Sequence, residues 1–204
     1  MKASIAVKKQ LVAVAANDLA REHEFDGITV DMICEQAQIS RSSFYRLFRD
    51  KYDILLWCEQ IPFSRGISQM GRSLTCLEGV TLALECFRLF QPLFYSTRHS
   101  TERASREDAG REQAAQLLRE TVEEHHGAAV DEELGFQIAW FANGLLEQTV
   151  LWNRGRRHEP LEKIAAHICS CCPARLKEIL DKPLAPKNPE DSSLQSIVIK
   201  GPLL

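Results

Sequence analysis

The stretch TVDMICEQAQISRSSFYRLFRDKYD, residues 29–53, decides the fold. Its pattern predicts two short helices, a tight turn between them and the start of a longer third. Thr29 is a good N-cap, with a side-chain oxygen able to accept an unpaired N–H of the first turn. Val30, Ile33 and Ala37 recur at i, i+3 and i+7 and give that helix one apolar face. Ala37, Gln38 and Ile39 make the turn, and Ser40 caps the next helix. In that helix Phe44 and Phe48 lie one turn apart and point inward, while Ser42, Tyr45, Arg46 and Arg49 share the opposite face. That face carries hydroxyls and guanidinium groups and no acid, which suits a helix lying in a DNA major groove. Asp50 caps the following helix. Lys51 falls in its first turn, where a lysine gains nothing from the helix dipole, and a phosphate contact explains its placement.

The ordered run T-V-x-x-I-C-x-x-A-x-I-S-R-S-S-F-Y-R-x-F-x-D-K-Y-x-I-L, from Thr29 to Leu55, resembles the DNA-binding segment of TetR/AcrR-type transcriptional regulators. The resemblance implies an all-α fold, with an N-terminal three-helix helix-turn-helix head and a helical body that binds an effector and dimerises. It places the head at residues 1–50 and the body at 51–180. Tyr45, Arg46, Ser42 and Ser43 would then touch bases or phosphates, and Thr29, Arg41 and Lys51 would anchor phosphates. One position departs from the family pattern: Gln38 stands in the turn where the family usually has Gly. A side chain at a position favouring positive φ costs up to about 1 kcal/mol.

Composition agrees with a soluble globular chain. Of 204 residues, 45% are apolar and 26% charged, and no apolar run approaches the length that spans a bilayer. The N-terminus lacks the apolar region of a signal peptide. Seven cysteines, an odd number in no recognisable framework, suggest a reducing cytoplasm. The net charge of −3 argues against a bulk nucleic-acid coat protein, but sequence-specific binding depends on the local patch. Arg41, Arg46, Arg49 and Lys51 supply such a patch, opposed there only by Asp50.

On the N-terminal side, residues 3–23 read as a helix with Val12, Ala15, Ala16 and Leu19 on its core face. Lys2, Lys8 and Lys9 are either backbone contacts or loose surface lysines. Beyond the opening stretch, the Asp50 helix is expected to run to about Phe63, with Pro62 kinking or ending it. Residues 64–74 read as a partly helical connector. Residues 75–95 are apolar nearly all round, the pattern of a buried helix. Residues 98–111 are charged without an apolar stripe and read as an exposed loop or short helix, and 112–125 as an amphipathic helix. Residues 131–152 form the longest apolar helix and need partners on two faces. A last helix opens at Pro160 and is disturbed by Pro173. Residues 181–204, rich in Pro and Ser, read as a mostly disordered tail.

The pattern G-L-L-x-x-T-V-L-W-x-x-G followed by P-L-E-K-I-A also looks like the end of a TetR-type body. There the last two helices pair with the same two of a second subunit, which makes Leu145, Trp152, Leu161, Ile164 and Ile168 the expected dimerisation residues. The resemblance further implies an effector pocket. Phe87, Phe90, Phe94, Trp140 and Phe141 are its candidate walls, with Gln137 and Asn143 as polar points, against the plainer reading that these aromatics are core.

No enzyme constellation is present: no G-x-S-x-G, no phosphate-binding glycine loop, no H-E-x-x-H. No cofactor is expected. Cys169, Cys171 and Cys172, with His167, are the best metal or redox candidates, but their spacing fits no structural zinc pattern. Small buried thiols are the plainer reading. His125 and His126 beside Glu123 and Glu124 read as a polar helix end rather than a metal site. The sequence thus points to a cytoplasmic, homodimeric, operator-binding regulator, a repressor released by a small-molecule effector. The alternatives are an activator or coactivator working through a protein partner, and a cysteine-based metal or redox sensor or metal-dependent helical protein.

Overall fold

The computed structural model describes residues 5–97 and 103–185. Lys2 and residues 186–204 of the tail lie outside the described residues. Ten α-helices fill the described chain, and no strand occurs among them: α1 Ile5–Leu19, α2 Val30–Gln36, α3 Arg41–Tyr45, α4 Lys51–Arg65, α5 Cys76–Leu89, α6 Gln91–Ser96, α7 Arg103–Glu120, α8 Glu132–Asn153, α9 Leu161–Ser170 and α10 Ala174–Leu180.

Each boundary has a local cause. Thr29 accepts from Met32 N at 3.2 Å, Ser40 from Ser43 N at 3.2 Å and Asp50 from Asp53 N at 2.9 Å, so all three expected N-caps form. Thr75 and Glu78 close a capping box at the start of α5, and Asp131 caps α8 through Leu134 N. Gln38 has φ 53°, the left-handed conformation expected for that turn, and is the single non-glycine residue with positive φ among the described residues. Pro62 sits inside α4 without ending it; the helix continues to Arg65. There α4 and α5 cross closely. A Cβ on Gly66 would stand 2.6 Å from Gly79 O, and one on Gly79 2.4 Å from Met70 Cγ, so only glycine fits at either position.

Two expectations need correction. Residues 103–111 are neither loop nor short helix but the first half of α7, which extends from Arg103. Their charges do not signal full exposure, because they pair with acids on neighbouring helices: Arg106 with Glu59 at 2.8 Å and Arg111 with Glu147 at 3.0 Å. The expected single helix over 75–95 is two. Pro92 removes an N–H and its ring crowds the carbonyl four residues back, and the chain breaks at Phe90 between α5 and α6.

The break leaves Leu89 C=O and Leu93 N–H without each other. Asn17, 6% exposed on α1, fills the gap. Its Nδ2 donates to Leu89 O at 3.1 Å and its Oδ1 accepts from Leu93 N at 3.2 Å. One side-chain amide stands in for a peptide unit and ties the head to the body.

Two apolar clusters follow. One gathers Val12, Ala16, Phe25, Ile33, Phe44 and Phe48 of the head with Ile54, Leu55 and Cys58 of α4 and Leu82, Cys86, Phe90 and Leu93 of α5 and α6. The other holds Phe63, Val80, Leu84, Leu118, Ile138, Phe141, Leu145, Leu161, Ile164 and Ile168 in the body. Residues 184 and 185 dock back, both donating backbone N–H to Arg72 O.

Replacing Asn17 by Leu keeps the volume but strands a buried carbonyl and a buried N–H. We expect a loss of about 2–4 kcal/mol in urea unfolding. A loss below about 0.5 kcal/mol would show that the bridge is dispensable.

Candidate nucleic-acid interface

The recognition face forms because Phe44 of α3 and Phe48, three residues past its end, are buried at 0% and 2% exposure against the head core. The remaining side chains must then point outward. Arg41, Ser42, Tyr45, Arg46 and Arg49 are exposed, and Ser43 is half-buried. Phe44 holds Tyr45 edge-on at 5.4 Å between ring centroids. Arg46 Nη2 donates to Ser43 Oγ at 3.1 Å, and Ser40 Oγ meets both Ser42 and Ser43 hydroxyls at 3.0 Å. Arg41 pairs with Asp31 of α2 and lies 5.9 Å from the Tyr45 ring centroid. Asp31 also holds the Arg41 guanidinium above its ordinary value. An exposed pair of this kind contributes little to stability, but it sets where the guanidinium points. Thr29 caps α2 and still has a hydroxyl proton to donate. Arg41, Ser42, Ser43, Tyr45 and Arg46 thus cluster on and beside α3, while Thr29 is exposed at the start of α2.

Lys51 is the exception. Its ammonium donates to three carbonyls, Phe25 O at 2.8 Å, Asp26 O at 2.9 Å and Ile28 O at 2.8 Å. It also lies over the Phe25 and Tyr52 rings. All three protons are used, so the phosphate role expected from sequence is not available in this arrangement. Lys51 instead closes the turn between α1 and α2, and burial pulls its pKa down. Lys9 reaches across the head to the Phe48 ring at 4.9 Å.

A cavity of about 220 Å³ opens in the body between α4, α5, α6, α7 and α8. Phe63, Phe87, Phe94, Leu146 and Val150 form its apolar walls. Glu59 and Arg106 pair across it, and Thr97, Thr149 and Asn153 add polar points. Burial pushes the Glu59 carboxyl up, and Arg106 partly offsets the shift. Of the expected pocket residues Phe87 and Phe94 line this cavity, and the other five do not. Phe90 is packed in the head-side core, Phe141 in the body core, Trp140 on the outer surface at 51% exposure, Gln137 donates to Glu133, and Asn143 donates to Ala139 O. Phe90 falls in the break between α5 and α6, and the other four lie on faces of α8 that do not line the cavity. Most of the wall comes instead from α4 and α7, whose charged residues gave no apolar signal. The pairing of Glu59 with Arg106 was the feature to look for.

The expected dimerisation residues Leu145, Leu161, Ile164 and Ile168 are buried in the protomer's own core, and Trp152 donates its indole N–H to Glu159 O. What α8 leaves outside is Phe136 at 71% and Trp140 at 51% exposure, one turn apart. His126 Nε2 is bonded to Gly71 O and His125 is exposed.

A three-helix head with an exposed basic face thus stands on a helical body that holds a cavity. Residues 13–57 match the family model for bacterial regulatory proteins of the tetR family. A search of curated proteins gives no match. Among solved structures, the chain is similar to a dihydroxyacetone kinase operon activator, DhaS, at 19% identity and TM-score 0.65, covering 84% of this chain and 97% of that one. It is also similar to a TetR transcriptional regulator from Streptococcus agalactiae 2603V, at 19% identity and TM-score 0.50, covering 86% and 95%. No helix among the described residues is long and apolar enough to cross a membrane.

The two basic residues separate the roles of the head. Arg46→Ala should weaken binding to a specific duplex more than to random DNA. Lys51→Met should lower the unfolding free energy by about 2 kcal/mol while leaving the salt slope of DNA binding unchanged. A slope flatter by about one unit in Lys51→Met would return Lys51 to a phosphate.

Proposed function

We propose that the protein binds a near-palindromic operator as a homodimer and is released from it by a small amphiphilic effector held in the body cavity. The observation that carries the reading is the placement of α4. Its first half, with Ile54, Leu55 and Cys58, is part of the core beneath the recognition helix. Leu56 and the second half, with Glu59 and Phe63, wall the cavity. A ligand wedged against Phe63 and Phe87 moves α4, and α4 carries the head with it. The effector is an apolar body with one or two hydrogen-bonding groups, as the apolar walls and the Glu59–Arg106 pair require. Thr29, Arg41, Ser42, Ser43, Tyr45 and Arg46 form each half-site contact.

The dimer reading rests on Phe136 and Trp140. Two large apolar side chains exposed one turn apart on the longest helix are costly in water and suit an isologous two-fold interface. Activation is the second reading, favoured by the likeness to the dihydroxyacetone kinase operon activator. It uses the same head and cavity with the opposite preference for the ligand-bound state.

Selection from a random duplex pool tests the DNA reading, and a two-fold symmetric consensus is expected. Trp140→Glu should turn the dimer into a monomer in light scattering and weaken binding to the full site well beyond its effect on a half-site. An asymmetric consensus, or a Trp140→Glu protein that remains dimeric, would overturn the arrangement.

A further inference from the structure

The cysteine run near the C-terminus acquires a partner that sequence did not suggest. Cys76, the first residue of α5, meets Cys169 of α9 across the body core, with the two Sγ atoms 3.4 Å apart and the residues 93 positions apart in sequence. Cys172, just past the end of α9, also places its thiol against Cys76. Cys76 is fully buried, Cys169 is 4% exposed and Cys172 is 7% exposed. Cys171 is exposed and takes no part in the cluster.

The three thiols are chemically unequal. Cys76 lies at the N-terminus of a 14-residue helix, and its backbone N–H donates to Asp181 Oδ1 at 3.1 Å. Its sulfur is hydrogen-bonded with both neighbouring thiols, and Lys177 lies near, so its pKa falls to about 4 against the opposing effect of burial. Cys169 and Cys172 move the other way, through the same hydrogen bonds and burial. Cys76 is thus the most acidic of the three. Other buried cysteines differ. Cys58 and Cys86 are pushed up by burial.

We propose that Cys76 and Cys169 are a reversible thiol–disulfide pair, oxidised by small hydroperoxides with Cys76 as the attacking sulfur. The Cys76 sulfur, its proton released to water, attacks the peroxide oxygen; the O–O bond breaks, and Cys76 becomes a sulfenic acid as hydroxide or alkoxide leaves and takes up that proton. The Cys169 sulfur then attacks the Cys76 sulfur, the S–O bond breaks, and the sulfenic oxygen leaves as water with the Cys169 thiol proton. In sum two thiols and one hydroperoxide give one disulfide, one water and one alcohol, or two waters from hydrogen peroxide. The sulfurs have to close by about 1.3 Å to reach bonding distance. Cys169 is in the last turn of α9, next to the turn at residues 171–173, where the chain can supply that shift. Cys172, the most accessible of the three, marks the side from which a molecule as small as peroxide enters. A dithiol restores the pair.

The test uses the full chain carrying Cys171→Ser, which removes the exposed thiol and any bridge between molecules. The protein is exposed to a small excess of hydrogen peroxide, alkylated under denaturing conditions and mapped by mass spectrometry. The expected product joins the peptides bearing Cys76 and Cys169 with loss of two hydrogens and reverts with dithiothreitol. The Cys76 thiol should disappear about tenfold faster than those of Cys58 and Cys86. In Cys169→Ala, dimedone should trap a sulfenic acid at Cys76. If that variant does not fold, the mapping on the Cys171→Ser chain decides alone. A bridge to Cys172, irreversible oxidation of Cys76 without a bridge, or cysteines that all stay reduced would overturn the proposal. None of these readouts depends on DNA or on the effector.

Discussion

The structure depends on one helix belonging to two cores. α4 enters from the head with Ile54, Leu55 and Cys58 packed beneath Phe44 and Phe48, and leaves through the body with Phe63 packed against Val80 and Leu84. Close-packed interiors do not deform continuously, so a displacement at one end of such a helix is felt at the other. Gly66 and Gly79 let α4 approach α5 closely enough to be gripped there, since any Cβ at either position meets backbone or Met70. Lys51 fixes the other end by binding the three carbonyls of the α1–α2 turn. Between these two clamps lie Leu56, Glu59 and Phe63, the part of α4 that walls the cavity.

Asn17 supplies a second route across the same boundary. Its amide completes the hydrogen bond that the α5–α6 break leaves open, and α6 carries Phe94 to the cavity wall. Head and body are therefore joined through α4 by apolar packing and through α6 by two directed hydrogen bonds. The first tolerates sliding, and the second does not, because a buried amide shifted by an ångström loses both partners at once.

The head was nearly fully legible in sequence. Its caps, its turn at Gln38 and its inward phenylalanines are local features, set within a few residues of one another, and local rules find them. The exposed face of α3 followed from which residues its core face used. Lys51 was misread for the same reason: its partners, Phe25, Asp26 and Ile28, are more than twenty residues away, and nothing local distinguishes a lysine that binds carbonyls from one that binds phosphate. The body was legible as helices but not as surfaces. Residues 103–111 carry an exposed composition, yet Arg106 has only 17% of its side chain exposed, because Glu59 meets it from another helix. Phe90, Trp140 and Phe141 had the chemistry of a pocket wall but lie on other faces, a difference set by helix rotation. Cys76 drew no notice because its significance lies in Cys169 and Cys172, brought to it only by the fold.

The Asn17 bridge also bears on how such a chain can change by recombination. A DNA-binding head exchanged at residue 50 would carry its own α1 into a body whose α5–α6 break it had never met. Unless the incoming helix offered an amide at that one position, Leu89 and Leu93 would be left facing a side chain that satisfies neither. Residues 1–50 are a cassette by sequence pattern, but their natural unit of inheritance includes the broken helix they complete.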